Sequence, residues 1–148
     1  VRREGPETVA DFSLSAQTFK AFEIRKNELP ALIDEIPLLT VLATQAKGTS
    51  VIHDAEELRV KETDRIHSMT AMLSKMGAKI QAKGHTLFIE GPTPLHGAAL
   101  DSFKDHRTAM SLIVAGLIAE GETVVQDSDC IDTSFPDFFK YLANLGAY

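Results

Sequence analysis

Polar and apolar positions alternate from Val9 to Ser15, with Val9, Asp11 and Ser13 set against Ala10, Phe12 and Leu14. Phe19 to Ile24 is similar, so the pattern predicts a strand over each stretch. The period changes at Ile36. Apolar residues there run to Ala46 behind the pair Asp34 and Glu35, with Pro37 in the first turn, which predicts a helix that Gly48 stops. Thr49 to His53 is a β-branched run, and after an acidic turn a long helix is expected from about Arg59 to Met76, closed by Gly77. Lys79 to Ala82 and Thr86 to Glu90 flank Lys83, Gly84 and His85 as the arms of a hairpin. Leu95 to Leu100 predicts a strand, His106 to Ala119 a helix ending at Gly121, Glu122 to Gln126 a strand, and Pro136 to Leu145 a closing helix.

The order is close to strand, helix, strand, helix, strand, strand told twice, which signals a layered α/β protein in which the repetition lies in pattern and not in residue identity. Ile36 to Ala46 and Thr108 to Ala119 are apolar almost all round, with the small residues Ala43, Ala46, Ala109, Ala115 and Gly116 spread over several faces. A surface helix carries one apolar stripe, so these two are expected to be buried on every side, with sheets outside them.

At 148 residues the chain fits one domain able to bury a core. Hydrophobic residues at 44% and charged residues at 24% match an ordinary globular protein. A formal net charge of −6 argues against nucleic acid or anionic membrane as a partner, so an anionic ligand would need a local cluster of cations. The apolar run Met110 to Ala119 is far short of the roughly 20 residues that cross a bilayer. With no leader pattern at the start, the expected compartment is the cytoplasm. The lone Cys130 cannot form an internal disulfide and reads as a structural thiol. The first residue is Val1, which is consistent with a piece of something longer.

Candidate chemistry collects around Arg59 to Arg65, read as RVKETDR. If that segment is helical, about 100° per residue places Glu62 within the apolar stripe of Ile66, Met69, Leu73 and Met76, with Lys61 and Arg65 beside it. A carboxylate caught between the opposed influences of positive charge and burial is a candidate for moving protons. A plain surface pair of Glu62 with Arg65, worth a few tenths of a kcal/mol, fits the same spacing. At Asp105, His106 and Arg107 a helix start with a capping aspartate and an adjacent guanidinium suits either an anion or simple capping. Asp34 and Glu35 fit a helix-dipole interaction, and spacing alone leaves open whether Asp34 meets Glu62. The five histidines, His53, His67, His85, His96 and His106, lack metal-site spacing, and His67 falls on the side of its helix away from the core stripe. No Walker loop, GxGxxG or GxSxG is present, and no metal or cofactor is expected.

RVKETDR, KDHRTAM at Lys104 to Met110, LPALIDEIPLL at Leu29 to Leu39 and SFPDFF at Ser134 to Phe139 together resemble the C-terminal part of the EPSP synthase (3-phosphoshikimate 1-carboxyvinyltransferase) family. The likeness covers most of the chain, with the first two dozen residues matching most loosely. It implies an inside-out α/β barrel, or prism, of βαβαββ repeats with buried helices and outer sheets. Residues 1–148 would supply about two such units of one C-terminal enolpyruvyl-transferase domain, without the N-terminal partner domain, and would not catalyse alone. The implied reaction moves the enolpyruvyl group of phosphoenolpyruvate onto the 5-hydroxyl of shikimate 3-phosphate and releases phosphate. Carried over by motif, Asp34 would contact the shikimate hydroxyl as base and Glu62 would move the proton at the enolpyruvyl methylene, although the family leaves open which carboxylate performs which transfer. Lys61 would bind near the shikimate oxygen, and Arg65 and Arg107 would clamp phosphoenolpyruvate. Some relatives carry a lysine shortly before the FPD motif, where this chain reads Cys130, Ile131, Asp132, Thr133 and Ser134, so no role passes to Thr133. Two alternatives stand beside this reading. One is the related transferase acting on UDP-N-acetylglucosamine, which RVKETDR and DHRTAM fit less well, and the other is a stand-alone anion-binding module.

Overall fold

The structure is a computed structural model that describes residues 2–4, 7–11, 13, 15 and 17–146. Strand β1 (Arg2–Glu4) pairs antiparallel with β2 (Glu7–Val9). The chain then runs through β3 (Glu23–Ile24), a short helix α1 (Leu29–Leu32), α2 (Ile36–Gln45), β4 (Gly48–Ile52), a 3₁₀ turn at Glu56–Val60, α3 (Arg65–Lys75), β5 (Lys79–Lys83) and β6 (Thr86–Gly91). These strands form one sheet in the order β3-β4-β6-β5, with β3 and β4 parallel and the other neighbours antiparallel. A second crossover follows: β7 (Ala99–Asp101), α4 (His106–Leu117) and β8 (Val124–Gln126), with β7 and β8 parallel. A 3₁₀ turn at Ser128–Thr133 and α5 (Phe138–Asn144) close the chain.

Period-two alternation gives the four-stranded sheet one apolar face. The ladder register sets Ile52 opposite Leu87, and Ser50 and Ile80 opposite Ile89, and all five side chains are buried. Helices α2 and α3 pack on that face and also touch each other and α4. The helices therefore lie inside and the sheet outside. Each of the two apolar helices nevertheless keeps one open side, unlike the expectation of burial all round: Leu38 of α2 is 43% exposed and Leu117 of α4 is 42% exposed. Nothing among the described residues covers those sides.

The end of β6 is pressed against the end of α2. A Cβ on Gly91 would lie 2.5 Å from the carbonyl oxygen of Ala46 and 2.6 Å from that of Thr44, too close for any side chain. Thr93 N–H donates to Thr44 O at 2.8 Å, and Gln45 Nε2 donates to Thr93 O at 3.0 Å, so the chain beyond β6 also grips the helix. Gly77, at φ +91°, ends α3 in the left-handed conformation expected of it.

The helix expected from Arg59 begins instead at Arg65. Asp64 has extended backbone and its Oδ1 accepts from His67 N–H at 3.0 Å, making it the N-cap. Aspartate satisfies orphan helical donors better as a cap than within a first turn, so it sets the boundary over the helix-forming Lys61 and Glu62. The strands predicted early are shorter than their alternation. β2 ends at Val9, and Ala10, Asp11, Ser13 and Ser15 belong to no strand, while Phe12 and Leu14 lie outside the described residues. Of Phe19 to Ile24, the ladder keeps Glu23–Ile24 and a bridge from Lys20 to Lys47. In place of Leu95 to Leu100, the ladder has Ala99–Asp101 and a bridge from His96 to Glu120. Parallel crossovers of this kind pair only where the twisted strands run side by side, and alternation cannot mark where that ends.

The Gly91→Ala substitution is expected to lower stability by about 1–3 kcal/mol or more, because backbone carbonyls cannot yield as a side chain would. Thermal unfolding of the complete protein measures this, and an unchanged melting temperature would contradict the close approach of β6 to α2.

Candidate active site

The three longest helices begin at one place in space. Asp34 lies just before α2, Arg65 is the first residue of α3, and Asp105 caps α4. Arg65 has a side chain only 1% exposed, and Asp105 is fully buried beside it. Nε of Arg65 donates to Asp105 Oδ2 at 2.8 Å, and Nη2 reaches Oδ1 at 3.4 Å. The same Asp105 Oδ1 accepts from Arg107 N–H at 2.9 Å and Thr108 N–H at 3.0 Å. One carboxylate thus caps α4 and anchors a guanidinium from α3, with its charge matched by Arg65 and by the helix dipole.

The outward half of Arg65 meets two other carboxylates. Nη2 donates to Glu62 Oε2 at 2.6 Å, and Nη1 donates to Asp34 Oδ1 at 3.3 Å. Asp34 and Glu62, which spacing alone could not bring together, therefore share one guanidinium. Lys61 Nζ stands 3.8 Å from Asp34 Oδ1, and Arg107 Nη2 stands 3.6 Å from Asp34 Oδ2. Arg107 Nη1 also donates to Asp34 O and to Glu35 Oε1, each at 3.0 Å. Three cations, Lys61, Arg65 and Arg107, are interleaved with four carboxylates, Asp34, Glu35, Glu62 and Asp105.

Asp34 feels this field directly. Partial burial pushes its pKa up, but Arg107, Lys61 and Arg65 together push it down further, and the carboxyl is held below the ordinary aspartate range. It stays ionised at neutral pH. Cys130 is shifted the other way, chiefly by burial, and its thiol donates to Ser102 Oγ at 3.9 Å, as befits a structural cysteine.

A cleft of about 360 Å³ opens alongside, between α2, α4 and residues 134–138. Asp34 and Arg107 stand on its wall with Leu38, Met110, Val114 and Phe135, giving an apolar recess with a charged rim. Lys61, Glu62 and Arg65 are not among its lining residues. The five residues singled out from sequence are thus joined by ion pairs, while the recess reaches only two of them.

Two placements differ from the sequence reading. Glu62 does not lie on the buried stripe of α3: it precedes the helix and its side chain is 50% exposed. The buried charge is Arg65, because a helix starting at Arg65 turns that residue into the interior. The i,i+3 pair of Glu62 with Arg65 is present, with one partner buried and not on the surface. Asp105 is the residue that sequence reasoning placed only as a cap. Its signal was available in the aspartate–arginine pair heading so apolar a helix, since a carboxylate there needs a buried cation as well as backbone donors.

With helices packed inside a mixed sheet and helix starts converging on a charge cluster, the fold resembles that of a solved enolpyruvyl transferase. The structure of the enolpyruvyl transferase NikO from Streptomyces tendae matches with a TM-score of 0.66 over 89% of this chain and 29% of that one, at 21% identity, a likeness of fold alone. The chain belongs to the EPSP synthase (3-phosphoshikimate 1-carboxyvinyltransferase) family, whose model matches residues 6–142. A structure of EPSP synthase from Acinetobacter baumannii matches with a TM-score of 0.82 at 35% identity, covering 86% of this chain and 30% of that one. The 3-phosphoshikimate 1-carboxyvinyltransferases of Thermodesulfovibrio yellowstonii and Brevibacillus brevis are 48% and 49% identical over 98% and 94% of this chain. The chain spans about a third of the length of these relatives, 34% and 33% respectively. It is part of an inside-out α/β barrel of that family.

Removing Asp105 would strand a buried guanidinium and uncap α4. Asp105→Ala is expected to destabilise the complete protein by about 3–5 kcal/mol. Asp105→Asn, which keeps a capping oxygen, should cost less. Urea unfolding of the three proteins tests the order, and a loss below about 1 kcal/mol for Asp105→Ala would show that Arg65 does not depend on this partner.

Proposed function

We propose that this chain supplies one side of a site that transfers the enolpyruvyl group of phosphoenolpyruvate to the 5-hydroxyl of shikimate 3-phosphate. The observation that carries the reading is the pair of carboxylates, Asp34 and Glu62, held on the two outer nitrogens of one buried guanidinium. Addition requires a base for the hydroxyl proton, formation of the oxygen–C2 bond and delivery of a proton to C3. Elimination requires removal of a proton from C3 as the C2–phosphate bond breaks and inorganic phosphate leaves. Asp34, ionised and beside Lys61, accepts the hydroxyl proton, and Glu62 moves the proton at C3.

Both substrates are anions, and the cations that would hold them are already arranged. Arg65 keeps its inward bonds to Asp105 while its outer nitrogens and Arg107 exchange carboxylate partners for phosphoenolpyruvate. Such preorganised charge favours the transition state because little reorganisation accompanies the reaction. The family match favours the shikimate substrate over a UDP-sugar. The share of the relatives' length outside this chain supports a partner domain that closes the other side of the cleft. The open sides of α2 and α4 suit an incomplete domain, consistent with residues 1–148 being a portion of a C-terminal enolpyruvyl-transferase domain that is inactive alone. No described helix is long and apolar enough to cross a membrane, and a reaction between two phosphorylated metabolites suits the cytoplasm.

In the complete protein, Asp34→Asn and Glu62→Gln are each expected to leave the circular dichroism spectrum intact and to lower kcat by about 10²-fold or more. Phosphate release at saturating shikimate 3-phosphate and phosphoenolpyruvate measures the effect. Near-normal turnover in both variants would refute these roles.

A further inference from the structure

Arg59 opens the RVKETDR segment, yet it takes no part in the charge cluster. Its three donor nitrogens are all directed elsewhere: Nη1 to Asp64 Oδ2 at 2.6 Å, Nη2 to Gly84 O at 2.7 Å and Nε to His85 Nδ1 at 3.1 Å. Asp64 is the cap of α3, and its other carboxylate oxygen holds His67 N–H. Gly84 and His85 are the turn of the β5–β6 hairpin, and His85 O in addition accepts from Ala55 N–H at 2.9 Å, just before the 3₁₀ turn. The segment that presents Lys61 and Glu62 is therefore moored at its start to one hairpin turn and tied at its far end, through Asp64, to Arg59.

Between those moorings it is held by the ion pairs of Lys61 with Asp34 and of Glu62 with Arg65. Among the described residues, the N–H groups of Glu62, Thr63 and Asp64 donate no backbone hydrogen bond. Val60 is 82% exposed and offers no packing. The position of the loop thus rests on side chains, and Arg59 alone spans from its start to its far end and on to the sheet.

We propose that Arg59 is a positioning residue, a clasp that uses the hairpin acceptors Gly84 O and His85 Nδ1 to hold the Lys61–Glu62 loop in its working geometry. The inference rests on the proposed roles of Lys61 and Glu62. His85 Nδ1 is the acceptor in the clasp, and asparagine can replace the imidazole because Oδ1 accepts from nearly the same place. Small displacements of a proton-transfer group are costly to turnover.

Two readouts in the complete protein test this. Arg59→Met is expected to lower kcat by about tenfold or more while changing the KM for phosphoenolpyruvate, which Arg65 and Arg107 would hold, by less than about threefold, and to speed tryptic cleavage after Lys61 by about tenfold. His85→Leu should move both readouts in the same direction, and His85→Asn should leave both within about twofold of the parent. Unchanged resistance to trypsin in Arg59→Met would overturn the clasp. So would equal behaviour of His85→Asn and His85→Leu, whose exposed turn position decides the matter even if Arg59→Met fails to fold. Cleavage after Lys61 does not depend on the reaction, so a parent protein that transfers no enolpyruvyl group would sink the proposed function and leave the clasp judged on proteolysis.

Discussion

A guanidinium from the start of α3 lies wholly inside the protein against a fully buried aspartate from the start of α4. Desolvating two charges costs several kcal/mol each, and a well-packed apolar pair would stabilise such a position as well or better. The pairing of Arg65 with Asp105 is therefore poorly explained as a stability device. It is well explained as a way to fix a guanidinium in orientation, since Asp105 grips Nε from within and leaves the outer nitrogens facing Asp34 and Glu62.

Everything else in the cluster follows from that anchor. α2, α3 and α4 are interior helices with the sheet outside, so their N-termini can meet at one end of the domain instead of being spread over its surface. Gly91 against the end of α2 and Asp105 on α4 set where two of those helices sit. Asp34 then falls within reach of Lys61, Arg65 and Arg107, and its lowered pKa is the result. The carboxylates hold the cations in place, which suits the proposed site, since anions could enter it without its own residues repelling one another.

Much of the architecture could be read from pattern. The helices from Ile36 and His106 and the hairpin around Gly84 have strong local signals: an initial proline or capping aspartate, an apolar run, and a short turn with glycine. The start of α3 had no such clarity. Lys61, Glu62 and Arg65 are all good helix formers, and only the cap at Asp64 shows that the helix begins after them. This one boundary moved burial from Glu62 to Arg65. Motif likeness picked out Asp34, Lys61, Glu62, Arg65 and Arg107, but the bond between Arg65 and Asp105 joins residues 40 apart in the chain and is a product of tertiary packing. The short ladders of β3 and β7 were equally hidden, because a parallel pairing of two or three residues leaves little trace in alternation.

A crystal structure of the complete protein with shikimate 3-phosphate bound would test the central claim most directly. The account predicts that a hydroxyl of the ligand lies within hydrogen-bond distance of the Asp34 carboxylate and near Lys61 Nζ, with Arg65 still paired to Asp105. A ligand seated out of reach of Asp34, or an Arg65 released from Asp105, would contradict it.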